Sequence, residues 1–156
     1  MSRVMTRRGS VAIAITIALL SVAGCGGEDD DEGPSQQEFI AQADAICQEA
    51  DRKQTEGIYG SNFSDAAFLS RHNAGTRDAL ERLRALDVPE EDREAVNDVL
   101  SAIEGSVAAV DKRIAALRAR DLPRQSEAER ALERSYGDIA ASAGALGLSR
   151  CQGLSN

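Results

Sequence analysis

The stretch PEEDREAVNDVLSAIEGSVAAVDKRIAALRAR, residues 89–120, decides the fold. Val96, Leu100, Ile103, Val107, Val110, Ile114 and Leu117 recur at spacings of four and three without a fault. That rhythm puts one apolar stripe along one side of an α-helix, not the two-residue alternation of a half-buried strand. Pro89 suits a first helical turn, and Glu90, Glu91 and Asp92 bring acids to the positive end of the helix dipole. A 3.5-residue period sustained over three heptads implies knobs-into-holes packing with slight left-handed supercoiling. At 1.5 Å per residue the helix would be about 48 Å long. Gly105 falls on its outer face, where it costs about 1 kcal/mol relative to Ala and marks a place to bend. A stripe of this length needs other helices to cover it.

The flanking sequence supplies them. Downstream, Asp121-Leu122-Pro123 breaks the pattern, and a fourth helix follows with Ala128, Leu132, Tyr136, Ile139, Ala143 and Leu146 on one face. Ala140 and Gly144 are one turn apart and permit close helix approach. Gly147-Leu148 reads as a Schellman end. Upstream, Asp87-Val88-Pro89 ends a second helix whose stripe is Phe68, His72, Gly75/Thr76, Ala79, Leu83 and Leu86, with Ser64 as its cap. Asp78 and Arg82 form an i,i+4 pair in the favourable order. The first helix opens on Ser35-Gln36-Gln37-Glu38, a capping box, and carries Phe39, Ala43, Ile46 and Ala50 before Gly57. Residues 57–64 read as a loop. The expected fold is all-α: an up-down-up-down four-helix bundle over 36–156 with a long third helix. Three helices plus a mobile fourth is the alternative.

Ahead of the bundle lies an address. Residues 1–24 hold Arg3, Arg7 and Arg8 and no acid, followed by an apolar run from Val11 to Leu20. A charged start, an apolar run and a small-residue exit form the export-signal pattern. The run is short of the ~20 residues of a bilayer span. Val22-Ala23-Gly24-Cys25 resembles a bacterial lipobox, with Val where Leu is commonest. The resemblance implies peptidase recognition of Val22, Ala23 and Gly24, cleavage before Cys25, and acylation of the Cys25 thiol and new amino group. Two or more chains give stable anchoring, each buried CH₂ contributing about 0.8 kcal/mol. Thr6-Arg7-Arg8 also resembles a twin-arginine signal, but the apolar pair that should follow is missing, so general secretion is the expected route. The body is thus expected on the outer face of the cell membrane, held by lipid.

Gly26-Gly27-Glu28-Asp29-Asp30-Asp31-Glu32-Gly33-Pro34 reads as a flexible acidic linker, within residues 25–35. The acids lack the spacing of an EF-hand loop. Cleavage removes three arginines and no acid, leaving 15 cations against 26 acids and turning the charge from −8 to −11. Such a balance argues against a nucleic-acid binder, which would need a basic face to neutralise phosphates.

The chain has three Cys. With Cys25 consumed by lipid, Cys47 and Cys151 remain in a compartment that permits oxidation. An antiparallel helix four brings Cys151 towards helix one, so a disulfide is expected; a reactive or metal-binding pair is the alternative. Phe39-Ile-Ala-Gln-Ala-Asp-Ala-Ile-Cys47, the Leu86–Asp92 break and Leu146-Gly-Leu-Ser-Arg-Cys151 together resemble small Ala-rich lipoproteins and secreted proteins of high-GC Gram-positive bacteria. That likeness implies the same Cys pairing and no particular activity.

Chemistry is sparse. No nucleophile elbow, P-loop, HExxH or Rossmann fingerprint occurs. His72 is the sole imidazole and falls on an inward stripe, with Leu69 where a ferritin-like ExxH pattern needs an acid. Cofactors and metals are expected to be none. The expected role is non-enzymatic: contact with envelope or surface proteins, with no evident small-molecule ligand. The rivals are a ligand- or lipid-binding bundle with a cavity lined by Phe39, Phe68 and Tyr136, and an enzyme with a site near His72.

Overall fold

The computed structural model describes residues 33–56 and 65–155. Four α-helices follow in order: α1 Gln36–Glu56, α2 Ala66–Arg84, α3 Arg93–Ala119 and α4 Leu122–Leu146, with a terminal 3₁₀ turn Cys151–Ser155. There is no strand among the described residues. The chain is an all-α helical bundle.

The caps explain the boundaries. Ser35 and Glu38 close the expected box: the Ser35 backbone N–H donates to Glu38 Oε2 at 3.0 Å, and the Glu38 N–H donates to Ser35 Oγ at 3.4 Å. The Ser35 hydroxyl bond holds the Glu38 carboxyl below its usual pKa, helped by the backbone N–H. The cap of α2 is Asp65, not Ser64, which lies outside the described residues: Asp65 Oδ1 accepts from the Ala67 N–H at 3.0 Å. The long third helix is shorter than 89–120. Glu90–Asp92 form a separate 3₁₀ turn before α3 begins at Arg93, because Asp92 turns inward, 7 % exposed, and accepts from Gln36 Nε2 at 3.0 Å. The remaining 27 residues span about 40 Å at 1.5 Å each.

Two helix ends share one geometry. After α4, Gly147 adopts φ 83°, and its N–H bonds the Gly144 carbonyl while the Leu148 N–H bonds that of Ala143, the Schellman pair. After α3 the same pair forms from Arg120 and Asp121 to Leu117 and Ala116, yet Arg120 occupies the left-handed position, φ 54°. Asp121 then caps α4, its Oδ1 accepting from the Arg124 N–H at 3.1 Å.

Cross-contacts fix the directions. Glu49 meets Arg82 while Lys53 meets Asp78, so α1 and α2 are antiparallel. Arg84 meets Glu104 while Arg77 meets Asp111, so α2 and α3 are antiparallel. Gly105 faces Ser135 while Arg113 meets Glu129, so α3 and α4 are antiparallel too. The starts of α1 and α3 and the ends of α2 and α4 therefore share a base, and the α3–α4 turn lies at the opposite tip.

The core has two parts. At the base, Phe39, Ile46, Leu83, Val99, Ile103 and Ile139 pack with the disulfide and with Leu148 and Leu154 of the terminal segment. Nearer the tip, Phe68, Leu69, Val110, Ile114 and Leu132 form a second cluster from α2, α3 and α4, and Tyr136 touches both. The expected stripe of α3 is buried except for Leu100 and Leu117, which are half-buried; Val99, Ser106, Ala109 and Ala116 join it. The stripe widens because α3 has neighbours on two flanks. On α2, Leu69, Asn73 and Leu80 are buried for the same reason. Gly105 has a packing role: a Cβ there would meet Ser135 Oγ at 3.1 Å. The close approach assigned to Ala140 and Gly144 is absent, since both are exposed and Gly144 faces Gln152 of the terminal turn.

Candidate functional site

The paired cysteines form a disulfide, with a Cα–Cα distance of 4.9 Å. Its position follows from the path of the terminal segment. After the Schellman turn the chain doubles back and runs alongside α1 in the same direction: Gly147 sits beside Ile40, and Ser149 and Arg150 beside Asp44. Cys151 then reaches Cys47, three turns into α1. Asp44 guides this path by accepting from Ser149 Oγ at 3.0 Å and from the Arg150 N–H at 2.9 Å. It was missed in the sequence, where nothing distinguishes it from a solvent-facing acid.

A polar seam crosses α1, α2 and α3. Asn73 is 1 % exposed and donates through Nδ2 to the Val107 carbonyl at 3.1 Å and to Asp111 Oδ1 at 2.9 Å. Arg77 pairs with the other Asp111 oxygen. Gln54 Nε2 donates to Thr76 Oγ1 at 3.0 Å. Glu49 pairs with Lys53 at 2.9 Å and with Arg82 at 2.7 Å, which draws its carboxyl down to about 2, the Lys53 hydrogen bond contributing most. Asp78 joins at 3.6 Å from Lys53 and 3.8 Å from Arg82, the latter being the expected i,i+4 pair. These groups hold helix register.

His72 is half-buried and edges a small cavity of about 160 Å³ with Lys53, Gln54, Phe68, Arg71 and Gly75. Burial pushes the imidazole pKa below its ordinary value. The described lining brings two cations and no carboxylate to it. Phe39 and Phe68 sit in separate core clusters, so the aromatic cavity proposed for a ligand-binding bundle is not assembled from them. Tyr136 is half-buried, and its hydroxyl pKa is raised by burial, opposed by Arg113. Among the described residues no group of three metal-ligating side chains occurs.

The surface of the α3–α4 hairpin is more informative. Near the tip, a groove of about 360 Å³ has a floor of Ala115, Ala116, Ala128 and Ala131 and a rim of Lys112, Arg124 and Arg134 with Glu127. Near the base, a second groove of about 410 Å³ is lined by Ser101, Ala102, Ala141 and Ser142, with Asp98 and Asp138 at its edge. Asp98 and Ala116, like Arg124 and Ser142, are five helical turns apart, so both grooves lie on one side of the hairpin. That side is basic towards the tip and acidic towards the base. Leu122 at the turn is 71 % exposed, the one exposed large hydrophobic side chain among the described residues. Alanine at these positions gives no sign in sequence of a groove, since it serves as well for a bland outer face.

Compared with protein-family models, curated proteins and solved structures, the chain gives no match. Val22, Ala23, Gly24, Cys25 and the acidic run 28–32 lie outside the described residues. No helix among the described residues is long and apolar enough to cross a membrane.

Proposed function

We propose that this chain is a lipoprotein of the outer face of the cell membrane, anchored through Cys25, whose helical body acts by binding other proteins of the envelope and not as an enzyme. The observation that carries the reading is Val22-Ala23-Gly24-Cys25 at the exit of an apolar run with a basic start. The Cys47–Cys151 disulfide supports an oxidising compartment. Acids 28–32 would be repelled by an anionic membrane and keep the body off the lipid. A body held together by buried alanines, aliphatic side chains and register-setting ion pairs suits a rigid display surface better than a reaction cleft.

The test is cell fractionation with mass analysis of the N-terminal peptide. The wild-type chain should partition with membranes and begin at a diacylated Cys25. Membrane retention of Cys25→Ala, or an N-terminus elsewhere, would overturn the anchor.

A further inference from the structure

We propose that the basic groove beside the α3–α4 turn docks an acidic segment of a partner protein. The inference rests on the protein-binding reading above and assigns its surface.

Charge is the first argument. On a chain of net charge −8, residues 112–124 carry five cations and the single acid Asp121. Among the described residues, Lys112 and Arg134 make no ion pair, while Arg124 pairs with Asp121 of its own helix cap at 3.3 Å. Shape is the second. The alanine floor lets a chain lie close to both helices. Spacing is the third. The Gly105–Ser135 and Arg113–Glu129 contacts place Lys112 near the level of Ala128. At 1.5 Å per residue, Arg124 then lies about 6 Å towards the tip from it and Arg134 about 9 Å towards the base. Carboxylates at i, i+4 and i+10 of a helical segment lie at matching levels, about 6 and 9 Å apart along its axis.

Other occupants fit less well. The groove presents no aromatic side chain on which a base or sugar could stack. A flat anionic membrane laid along this side would also meet Asp98 and Asp138; a short segment confined to the tip avoids them. The chain's own acids 28–32 join the body at the base, and residues 28–33 reach only about 20 Å extended, half the length of α3. A partner's acidic segment is the occupant that answers the three rim cations, with Glu127 the one like charge beside them.

The test has two arms. In detergent solution, anisotropy of a fluorescein-labelled helical Glu/Leu peptide should report binding to the full-length chain. That binding should weaken about tenfold in the Lys112→Glu/Arg134→Glu variant and be little changed in Asp98→Lys, as charge complementarity at a rim requires. Equal binding by all three proteins overturns the proposal. In cells, a photo-crosslinking residue at Ala115, on the exposed part of the groove floor, should capture a peptide that maps to an acidic segment, with capture lost in the Lys112→Glu/Arg134→Glu background. Capture of lipid, or of a non-acidic segment, overturns it. Specific capture from Ala140 but not from Ala115 refutes the groove while leaving the protein-binding reading intact. Capture at neither position refutes both. Neither arm depends on the Cys25 anchor.

Discussion

Replacing both Cys47 and Cys151 with Ala should cost several kcal/mol of stability. The bridge closes a sequence separation of 104 residues. In the chain-entropy treatment a loop of that size contributes about 4.7 kcal/mol by restricting the unfolded chain. Domains of this size are typically stable by about 5–15 kcal/mol in all, so the variant would lose a third of its stability or more. Both cysteines are fully buried, so part of the loss will be packing. Reduced wild type separates the two contributions, because it keeps the sulfurs and opens only the loop. Urea unfolding of the oxidised, reduced and doubly substituted proteins, followed by far-UV circular dichroism, measures all three. The open forms should show a lower midpoint and a steeper dependence on urea, because an unconstrained unfolded chain exposes more surface. If reduction shifted stability by less than about 1 kcal/mol and left the slope unchanged, the closure argument would be wrong.

Arg120→Gly should stabilise the chain, since relief of a left-handed non-glycine outweighs the added freedom of the unfolded chain by about 0.5–1 kcal/mol; a urea midpoint that falls contradicts this. Gly105→Ala should be near neutral alone, because helix propensity and the Ser135 contact oppose each other, and should gain about 1 kcal/mol in a Ser135→Ala background; simple additivity would disprove the contact. Glu49 has a folded-state pKa drawn down to about 2, so its contribution is complete above the unfolded value near 4.5 and is lost as pH falls towards 2. Carbon-detected NMR titration of its carboxyl checks the value, and acid lability between those limits should shrink in Glu49→Gln. His72 has a lowered pKa, so the unfolded chain binds the proton more readily. Stability should be complete above about pH 6.5, fall below it, and lose that dependence in His72→Gln.

The fold was legible because α3 repeats its apolar residues for seven stations and both neighbouring breaks carry Pro. The capping box at Ser35 and the Schellman turn at Gly147 were equally plain, being local chemistry. Less visible were features set by tertiary contacts. Asn73 looked like any surface Asn until α3 presented the Val107 carbonyl and Asp111. Asp92 looked like a dipole charge but turns in to meet Gln36, and Arg120 took a position that local rules assign to Gly. The Cys47–Cys151 pairing could be argued from compartment and topology, whereas the doubled-back path that places it could not, since Asp44 carries no local signal. The groove at the tip was hidden because it is built from alanines.

The clasp between the terminal segment and α1 also has a mechanical meaning. A pull arriving through residue 33 acts first on Gln36–Ile46, the eleven residues of α1 that precede Cys47. Unwinding them would lengthen the chain by roughly 20 Å, the difference between extended and helical rise. Beyond that point the sulfur bridge closes the remaining helices into one loop, so a load taken up within them divides between two arms, the rest of α1 with α2 on one side and the terminal segment with α4 on the other. A body pulled at residue 33 would yield by three turns of one helix and then resist as a closed loop.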